Sequence, residues 1–332
     1  SHVEAARRLP QPPRIAATSR SAATRAEFAR HIPEAQMFDS VETLLALPAE
    51  PGDLVIVATP PAQHHRHTLQ AFASGRHVLC EKPLATTAPE VDEMYAASRA
   101  ARRHLVCCSV RYLNRPVLAA ARQLLARHTL GQPVRVRWQS RLHARRSGIE
   151  YQPESRWFLD RAQAGGGCLA DWGPYDLATL FSLLAPSAVT VESAWLGYPD
   201  RGPALPPGTI HDVEQQVGAT LHLHLAAGQT VRVDYERCAV AFGPESEVFQ
   251  IDGPRGALAF DWPDWRGHTL RLFGDDGHGQ NTVETTAYPD DPDNFHAHRP
   301  VLNYAARLAG QTPDIVWDEQ AWFNARVLCA LY

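Results

Sequence analysis

The stretch His77–Thr87 reads HVLCEKPLATT, and it decides the fold predicted for this chain. Its first residues, His77–Cys80, form a short apolar run that predicts a buried strand. Pro83 cannot donate a hydrogen bond to a sheet ladder, so the strand must end there and turn away. Thr87 and the glutamate three residues later form a capping box that starts a helix. Lys82 is therefore predicted at the carboxyl end of a buried parallel strand, where open α/β sheets bind their ligands.

Strand and helix patterns alternate on both sides of this stretch, which predicts a doubly wound parallel sheet of the Rossmann type. The strands predicted for it are Arg14–Thr18, Leu54–Ala58, His77–Cys80 and Leu105–Ser109. After Pro116 the apolar residues mostly alternate with period two, as in the two runs around Leu221 and Val231 that predict a hairpin. The second half is therefore predicted to be an α/β domain with an open, mainly antiparallel sheet.

The length of 332 residues is too great for one ordinary core and predicts two domains. We expect residues 1–110 to form a dinucleotide-binding domain and residues 111–293 to form a second, α/β domain. Residues 294–332 are expected to form terminal helices that pack back towards the first domain. Pro199–Gly208 and Gly274–Pro292 are rich in Gly, Pro and Asp and are predicted to be loops.

A dinucleotide-binding domain opens with a strand and a G-x-G-x-x-G turn, whose glycines let the backbone approach the pyrophosphate. No such turn precedes Ser1, and the sequence does not begin with Met. We therefore expect that one strand and its turn, about 15–20 residues, are missing from the sequence. A genuine loss of cofactor binding is the alternative.

The composition excludes several classes of protein. The net charge of -4, without a basic tract, argues against a nucleic-acid partner. No apolar run is long enough to span a membrane, and no signal peptide is visible. The six cysteines are scattered, which predicts reduced thiols and a cytoplasmic location. None of the groups among the sixteen histidines has a matching cysteine or carboxylate set at zinc spacing, so no metal site is predicted.

Four motifs in this order resemble those of the Gfo/Idh/MocA oxidoreductases, a family that includes inositol dehydrogenase and glucose–fructose oxidoreductase. They are DLVIVATPPAQHH, HVLCEKPLATT, SVRYLNRP and GGGCLADWGPYDL, and the similarity covers nearly the whole chain. The resemblance implies a Rossmann domain, a nicotinamide cofactor, and a second domain whose open sheet carries the substrate pocket. It also implies a homodimer or homotetramer formed through that sheet, and that Lys82 meets the Asp171 segment across the cleft.

The sequence departs from the family pattern in two places. The glycine-rich turn is absent, and Tyr175 stands where the usual histidine follows the aspartate by four residues. Tyrosine is found at this position in the glucose–fructose oxidoreductase and dihydrodiol dehydrogenase branches of the family, so this second change is compatible with activity.

Lys82, Asp171 and Tyr175 are the predicted catalytic residues. Asp171 and Tyr175 are four residues apart where a helix, expected over Pro174–Leu184, begins, so both can face one direction. A protonated phenol can donate to a developing alkoxide. The ammonium of Lys82 is expected either to lower the phenol pKa or to bond the substrate oxygen directly. Asp171 is expected to orient a substrate hydroxyl or the lysine. In the alternative interpretation Tyr175 is a half-buried aromatic, Asp171 a helix cap and Lys82 a surface residue.

The choice of nucleotide is predicted from the end of the first strand. Alignment with the family puts Ser19 where NAD enzymes carry an acidic residue, and Arg20 follows it. A carboxylate would repel a 2′-phosphate, whereas a guanidinium binds it, so NADP is favoured and NAD is the alternative. Arg20 could also be an ordinary solvated charge.

The remaining site assignments concern the cofactor and the substrate. The other residues assigned to the cofactor are Thr59, Pro60, His64, Glu81 and Lys82, although His64 could equally cap its own helix. Those assigned to the substrate are Arg111, Tyr112, Arg156 and Trp157, which resemble the pocket-lining positions of the family. An arginine and an aromatic ring also suit a polyhydroxylated molecule. Each of these four could instead pack between the domains.

Together these features predict an NADP-preferring oxidoreductase that acts on the carbinol or ketone carbon of a sugar, cyclitol or aminosugar. The alternative from another class is a non-catalytic binding or scaffold protein that keeps the fold without its phosphate loop. A metal-dependent hydrolase is a third possibility, which would show chelator-sensitive activity.

Overall fold

The structure is a computed structural model that describes residues 1–143, 155–198, 205, 207–226, 228–262, 268–289, 296–311 and 318–332. The helices are α1 His2–Arg7, α2 Ala22–His31, α3 Val41–Leu45, α4 His64–Ala73, α5 Ala88–Ala101, α6 Pro116–Ala126, α7 Arg161–Ala164, α8 Cys168–Leu184, α9 Arg299–Leu308 and α10 Glu319–Ala330. The strands are β1 Ala16–Thr18, β2 Gln36–Phe38, β3 Leu54–Val57, β4 His77–Cys80, β5 Leu105–Cys107, β6 Arg135–Arg141, β7 Ala188–Gly197, β8 Gln216–His224, β9 Thr230–Cys238, β10 Ser246–Gly253, β11 Gly256–Phe260, β12 His268–Asp275 and β13 Asn281–Tyr288.

The strand that carries the HVLC sequence lies between two parallel neighbours, as predicted. β4 pairs with β3 on one side and with β5 on the other, and all four of its residues are buried. Thr87 accepts a hydrogen bond from the backbone N–H of Glu90, whose carboxylate accepts one from Thr87 N–H in return. This capping box starts α5 where the sequence predicted it, so Lys82 lies between a strand end and a helix start.

The parallel strands form two hydrogen-bonded sheets. β1 pairs with β2, while β3, β4 and β5 form a separate sheet of three strands. A doubly wound sheet of this type places one further strand between the counterparts of β1 and β3. The Rossmann-type fold class is confirmed, with its parallel strands divided in this way.

The sheet of the second half of the chain has eight strands in the order β13-β12-β11-β10-β6-β9-β8-β7. All pairs are antiparallel except β6 with β9, and the predicted hairpin is β8 with β9. The prediction of a loop over Gly274–Pro292 was wrong because that range contains β13. Nearly all residues of β13 are exposed, so it lacks the apolar alternation that marks a half-buried strand. The loop predicted at Pro199–Gly208 lies largely outside the described residues.

Helix α8 forms the centre of the core between this sheet and the terminal helices. It packs against α6, α10, β8 and β9, and most of its residues are buried. It begins at Cys168, not near Pro174 as predicted, so Pro174 lies inside the helix. α10 contacts both α5 and α8. The predicted domain boundaries stay predictions. No helix among the described residues is both long and apolar enough to cross a membrane.

A buried charged group attaches α8 to the sheet. The Asp176 carboxylate accepts hydrogen bonds from Arg237 Nε at 2.6 Å and Nη2 at 2.7 Å. It also accepts one from the Tyr235 hydroxyl at 2.9 Å and one from Trp262 Nε1 at 3.0 Å. The Asp176 and Arg237 side chains are 1% and 6% exposed, so each charge depends on the other for compensation.

Replacing Asp176 with asparagine is expected to lower the free energy of unfolding by about 3 kcal/mol or more, because Arg237 is left as a buried unpaired cation. Urea unfolding followed by circular dichroism measures the change. Asp276→Asn, in an exposed turn, is the matched control and should change the free energy by less than about 0.5 kcal/mol. Equal effects of the two substitutions would contradict this account.

Candidate functional site

The glycine-rich turn at 165–167 lets three parts of the chain approach one another closely. Gly165 has a φ of +79°, and a Cβ there would lie 2.8 Å from Thr86 in the loop after β4. A Cβ on Gly167 would lie 1.8 Å from the carbonyl oxygen of Glu214. Glycine has no Cβ and so allows this close approach, and the groups that approach are the protein's own.

Glu214 fixes the start of α8. Its carboxylate accepts hydrogen bonds from the backbone N–H groups of Gly167 at 2.8 Å and Leu169 at 3.0 Å. The hydroxyl of Tyr332, the last residue, donates a further bond at 2.9 Å. Burial raises the pKa of Glu214, although these hydrogen bonds oppose the shift. Glu214 thus supplies the capping interaction that lets the helix begin before Pro174, where Asp171 falls in its first turn.

Lys82 and Asp171 meet, as the resemblance implied. Lys82 Nζ donates to the backbone carbonyl of Asp171 at 2.8 Å and forms an ion pair with its carboxylate. The two side chains are 13% and 16% exposed. The ammonium of Lys82, which follows the carboxyl end of β4, is therefore held at the start of α8. This helix belongs to the other half of the chain.

Tyr175 lies one turn further along α8, in contact with two cations. Its ring centre is 5.1 Å from Lys82 Nζ and 5.4 Å from Arg111 Cζ. The edge-on ring of Tyr112 lies 5.0 Å away, and Tyr175 is 4% exposed. The three predicted catalytic residues thus form one cluster, together with Arg111.

The expected lowering of the Tyr175 pKa was wrong. Burial raises the pKa of the Tyr175 phenol well above its ordinary value, and the charge of Arg111 only partly opposes this shift. The negative charges of Glu81 and Asp171 act in the same direction as burial. The phenol therefore stays protonated at neutral pH, which is the form that donates a proton.

Glu81 is held between two partners from different elements. Arg111 Nη2 donates to its two oxygens at 2.8 and 3.1 Å, and His2 Nε2 lies 3.0 Å from Oε1. Burial alone would raise the pKa of Glu81, but the His2 hydrogen bond and the charges of Arg111, His2 and Lys82 hold that pKa well below its usual range. Glu81 therefore connects α1, the end of β4 and the turn that follows β5.

The loop after β3 contains a buried polar atom without a protein partner. Thr59 Oγ1 is buried and has no hydrogen-bond partner, while Pro60 leads into the 3-10 turn Pro61–Gln63. Helix α7 packs against this turn from the other half of the chain. An unsatisfied hydroxyl at the carboxyl end of a parallel strand suits a hydrogen bond to a bound nucleotide, so the residues present fit a dinucleotide here.

The buried side chain of His64 contacts the backbone of this loop. It is 1% exposed, and its Nδ1 and Nε2 each lie 2.8 Å from a carbonyl oxygen, those of Pro83 and Thr59. Burial lowers its pKa, and the two carbonyls oppose that shift. The N-cap residue of α4 is Gln63, so the alternative in which His64 caps its own helix was wrong. His64 instead connects the ends of β3 and β4.

Ser19 and Arg20 follow β1 and precede α2, where the ribose end of a dinucleotide is expected. Ser21 caps α2 by accepting from Thr24 N–H at 3.2 Å. Arg25 Nη1 donates to the carbonyl oxygens of Ser19 at 2.6 Å and Arg20 at 3.2 Å. Arg25 thus holds the backbone of this loop in place, while the Arg20 side chain is exposed.

The four residues assigned to the substrate are in three different environments. Arg111 is paired with Glu81, and Tyr112 is buried between Tyr175, Trp262 at 5.3 Å and His296 at 4.9 Å. Arg156 is exposed, and Trp157 stacks on Phe158 with ring centres 4.0 Å apart. Arg156 and Trp157 belong to the short 3-10 turn that precedes α7. Their roles stay predictions.

Glu214, Asp176 and His2 are the supporting residues that sequence reasoning missed. No local pattern indicates that Glu214, in the loop before β8, would cap a helix that begins at residue 168. A helix turns Asp176 away from its neighbour Tyr175, and that direction is towards Arg237. No pattern around His2 indicates that it would contact Glu81. Each role depends on residues distant in sequence.

The histidine groups weighed for metal binding have other partners. His65 pairs with Glu93, His67 contacts Gln70, and His222 pairs with Glu192. Across the described residues one group, His2, Glu81 and Cys108, brings potential ligand atoms within 4.8 Å of one another. The Arg111 guanidinium already occupies both oxygens of that glutamate, and a cation in this position opposes a metal ion.

The fold and this cluster define a two-domain protein with a Rossmann-type half, whose site lies where the ends of the parallel strands meet α8. Residues 1–112 match the family model described as oxidoreductase family, NAD-binding Rossmann fold. Residues 118–259 match the GFO/IDH/MocA C-terminal domain. The chain belongs to the Gfo/Idh/MocA family of oxidoreductases.

Several relatives are named for reactions on sugars. A 1,5-anhydro-D-fructose reductase of Ensifer adhaerens is 33% identical over 189 residues, which is 56% of this chain and 53% of that protein. The chain thus spans about half the length of that relative. A D-xylose 1-dehydrogenase (NADP(+)) of Hypocrea jecorina is 25% identical over 84% of this chain and 70% of its own. A levoglucosan dehydrogenase solved with NADH has the same fold, with a TM-score of 0.78, 20% identity and coverage of 99% and 92% of the two chains.

The low pKa of Glu81 predicts a specific response to acid. A carboxyl group whose pKa is lower in the folded than in the unfolded state stabilises the fold above the unfolded-state value of about 4.3. That contribution is lost as the pH falls. The difference in thermal stability between the wild type and Glu81→Gln should therefore be largest near pH 5 and shrink towards about pH 3.

Thermal unfolding at a series of pH values measures this difference. Glu319→Gln removes an exposed carboxylate at the start of α10 and provides the control. A difference between the wild type and Glu81→Gln that widens on acidification would contradict the assignment of Glu81 as an ionised, paired carboxylate.

Proposed function

We propose that this chain is an NADP-preferring oxidoreductase that moves a hydride between the nicotinamide and the carbinol or ketone carbon of a sugar, cyclitol or aminosugar. The observation that carries the proposal is the cluster of Lys82, Asp171 and Tyr175, in which residues from both halves of the chain meet at the end of β4. The sugar reductases and dehydrogenases among the relatives support the substrate class.

Tyr175 transfers the proton in this proposal. A nicotinamide cofactor, when bound, supplies the hydride acceptor or donor. The protonated phenol of Tyr175 donates to the substrate oxygen in the reducing direction and accepts a proton in the oxidising direction. Lys82, oriented by its ion pair with Asp171, stabilises negative charge as it develops on that oxygen.

The cofactor is assigned to the ends of β1 and β3. The Thr59 hydroxyl and Pro60 border the nicotinamide ribose, with His64 holding that loop in position. Ser19 and Arg20 receive the ribose 2′-phosphate of NADP. Support for this preference is the absence of an acidic side chain at Ser19 and the exposed guanidinium beside it.

The domain limits, the oligomer and the location complete the proposal. The dinucleotide-binding domain covers residues 1–110, the substrate domain 111–293 and the terminal helices 294–332. The open face of the eight-stranded sheet, which carries ion pairs such as Arg135 with Asp234, joins two or four copies. The thiols of Cys80, Cys107, Cys108, Cys168 and Cys238 are free and buried, which suits a cytoplasmic protein.

Substituting Tyr175 with phenylalanine is expected to reduce turnover by roughly 10² or more and leave cofactor affinity unchanged, because only the transferable proton is lost. Turnover is followed by nicotinamide absorbance with sugar ketones, and affinity by fluorescence titration. Tyr304→Phe removes another buried phenol, beside His77 at the opposite end of β4, and should leave turnover unchanged. Near wild-type turnover in Tyr175→Phe would contradict the role of the phenol.

Arg20→Ala is expected to weaken NADPH binding by about tenfold or more and to leave NADH binding unchanged, because the lost guanidinium contacts only the 2′-phosphate. Quenching of the eight tryptophans measures both affinities. Arg14→Ala, before the amino end of β1, removes a similar exposed charge and should affect neither nucleotide. Equal weakening of NADPH and NADH would overturn the NADP preference, and binding of neither would favour the scaffold hypothesis.

A further inference from the structure

Arg111 lies between a carboxylate and an aromatic ring at the edge of the candidate site. Its Nη2 donates to both oxygens of Glu81, and its Cζ lies 5.4 Å from the centre of the Tyr175 ring. Its Nε donates to the Cys108 carbonyl oxygen at 3.4 Å. The side chain is only 17% exposed. The protein itself therefore holds this cation beside Tyr175, and the guanidinium is already engaged before any substrate arrives.

We propose that Arg111, held in place by Glu81, supplies the positive charge that stabilises the ionised phenol of Tyr175, and that Glu81 limits this effect. Arg111 is then a positioning residue that acts through Tyr175, in contrast to its sequence-based assignment to the substrate. The inference rests on the proposed function, because it gives Arg111 a role in the proton transfer assigned to Tyr175.

The charge matters at one step of the reaction. When a ketone is reduced, its carbon accepts a hydride from the nicotinamide and the C=O π electrons move to oxygen. The O–H bond of Tyr175 breaks, its proton goes to that oxygen, and a phenolate remains. In the oxidising direction the phenolate takes the proton from the carbinol. A cation within about 4–6 Å stabilises such an anion by a factor of ten or more.

The other charged or titratable groups around Tyr175 can be placed. Lys82 lies 5.1 Å from the ring, Asp171 precedes Tyr175 on the same helix, and Tyr112 packs edge-on against it. Glu81 lies behind Arg111 and is also bonded to His2. Burial raises the pKa of Tyr175, Arg111 opposes this shift, and Glu81 adds to it. The two members of one ion pair therefore act on the phenol with opposite signs.

These opposite signs make the test specific. The full chain is prepared with 3,5-difluorotyrosine at position 175, whose phenol is more acidic than that of tyrosine and therefore ionises at a lower pH in the same site. Fluorine NMR follows its ionisation in the wild-type background, in Arg111→Gln and in Glu81→Gln. The midpoint should rise by about one pH unit in Arg111→Gln and fall by about one pH unit in Glu81→Gln.

Two further variants act as controls. Arg111→Lys keeps the charge and should keep the midpoint near the wild-type value. Arg115→Gln removes the cation 5.1 Å from the neighbouring Tyr112 ring and should leave the midpoint unchanged. Circular dichroism establishes that each variant is folded at the pH values used.

The outcomes separate this inference from the proposed function. A fall of the midpoint in both Arg111→Gln and Glu81→Gln would mean that water has entered the site, and would overturn the inference. No movement in either variant would also overturn it. If the midpoints separate as expected while the pH profile of kcat/KM does not follow them, the electrostatic role of Arg111 stands and the assignment of proton transfer to Tyr175 fails.

Discussion

The contact between Lys82 and Asp171 is the interaction on which the candidate site depends. It joins the end of a buried parallel strand to the first turn of the central helix of the other half, over 89 residues of sequence. Burial and hydrogen bonds hold the backbone on both sides of this contact. β4 is buried between its neighbours, and α8 is capped by Glu214 and attached to β9 through Asp176. The site therefore depends on both β4 and α8 being held in place.

Buried carboxylates provide much of this rigidity. Glu214 holds the start of α8, Asp176 connects the middle of that helix to the sheet, and Glu81 connects α1 to the turn that carries Arg111. Each has more than one donor, which compensates for removing its charge from water. The same arrangement bears on the proposed chemistry, because Arg111 acts to lower the pKa of the Tyr175 phenol and Glu81 acts to raise it.

Local patterns were sufficient to predict the strand at His77, the capping box at Thr87 and the position of Lys82, because each depends on neighbours in sequence. The family resemblance added the contact with Asp171, which no local pattern could show. The start of α8, strand β13 and the rise in the Tyr175 pKa were not predicted. The start of α8 depends on a cap from Glu214, which is distant in sequence. β13 is an exposed edge strand and has no apolar pattern. The pKa of Tyr175 is raised because other elements bury its phenol.

Transfer of a deuterium label from the cofactor to the substrate measures the proposed hydride transfer itself. NADPH deuterated at nicotinamide C4 is incubated with the chain and a set of sugar and cyclitol ketones, and the products are analysed by mass spectrometry. We expect one ketone to gain a single deuterium at the new carbinol carbon, and we expect Tyr175→Phe to slow its appearance strongly. If NADPH binds and none of the ketones gains deuterium, the chain is not a reductase of this substrate class.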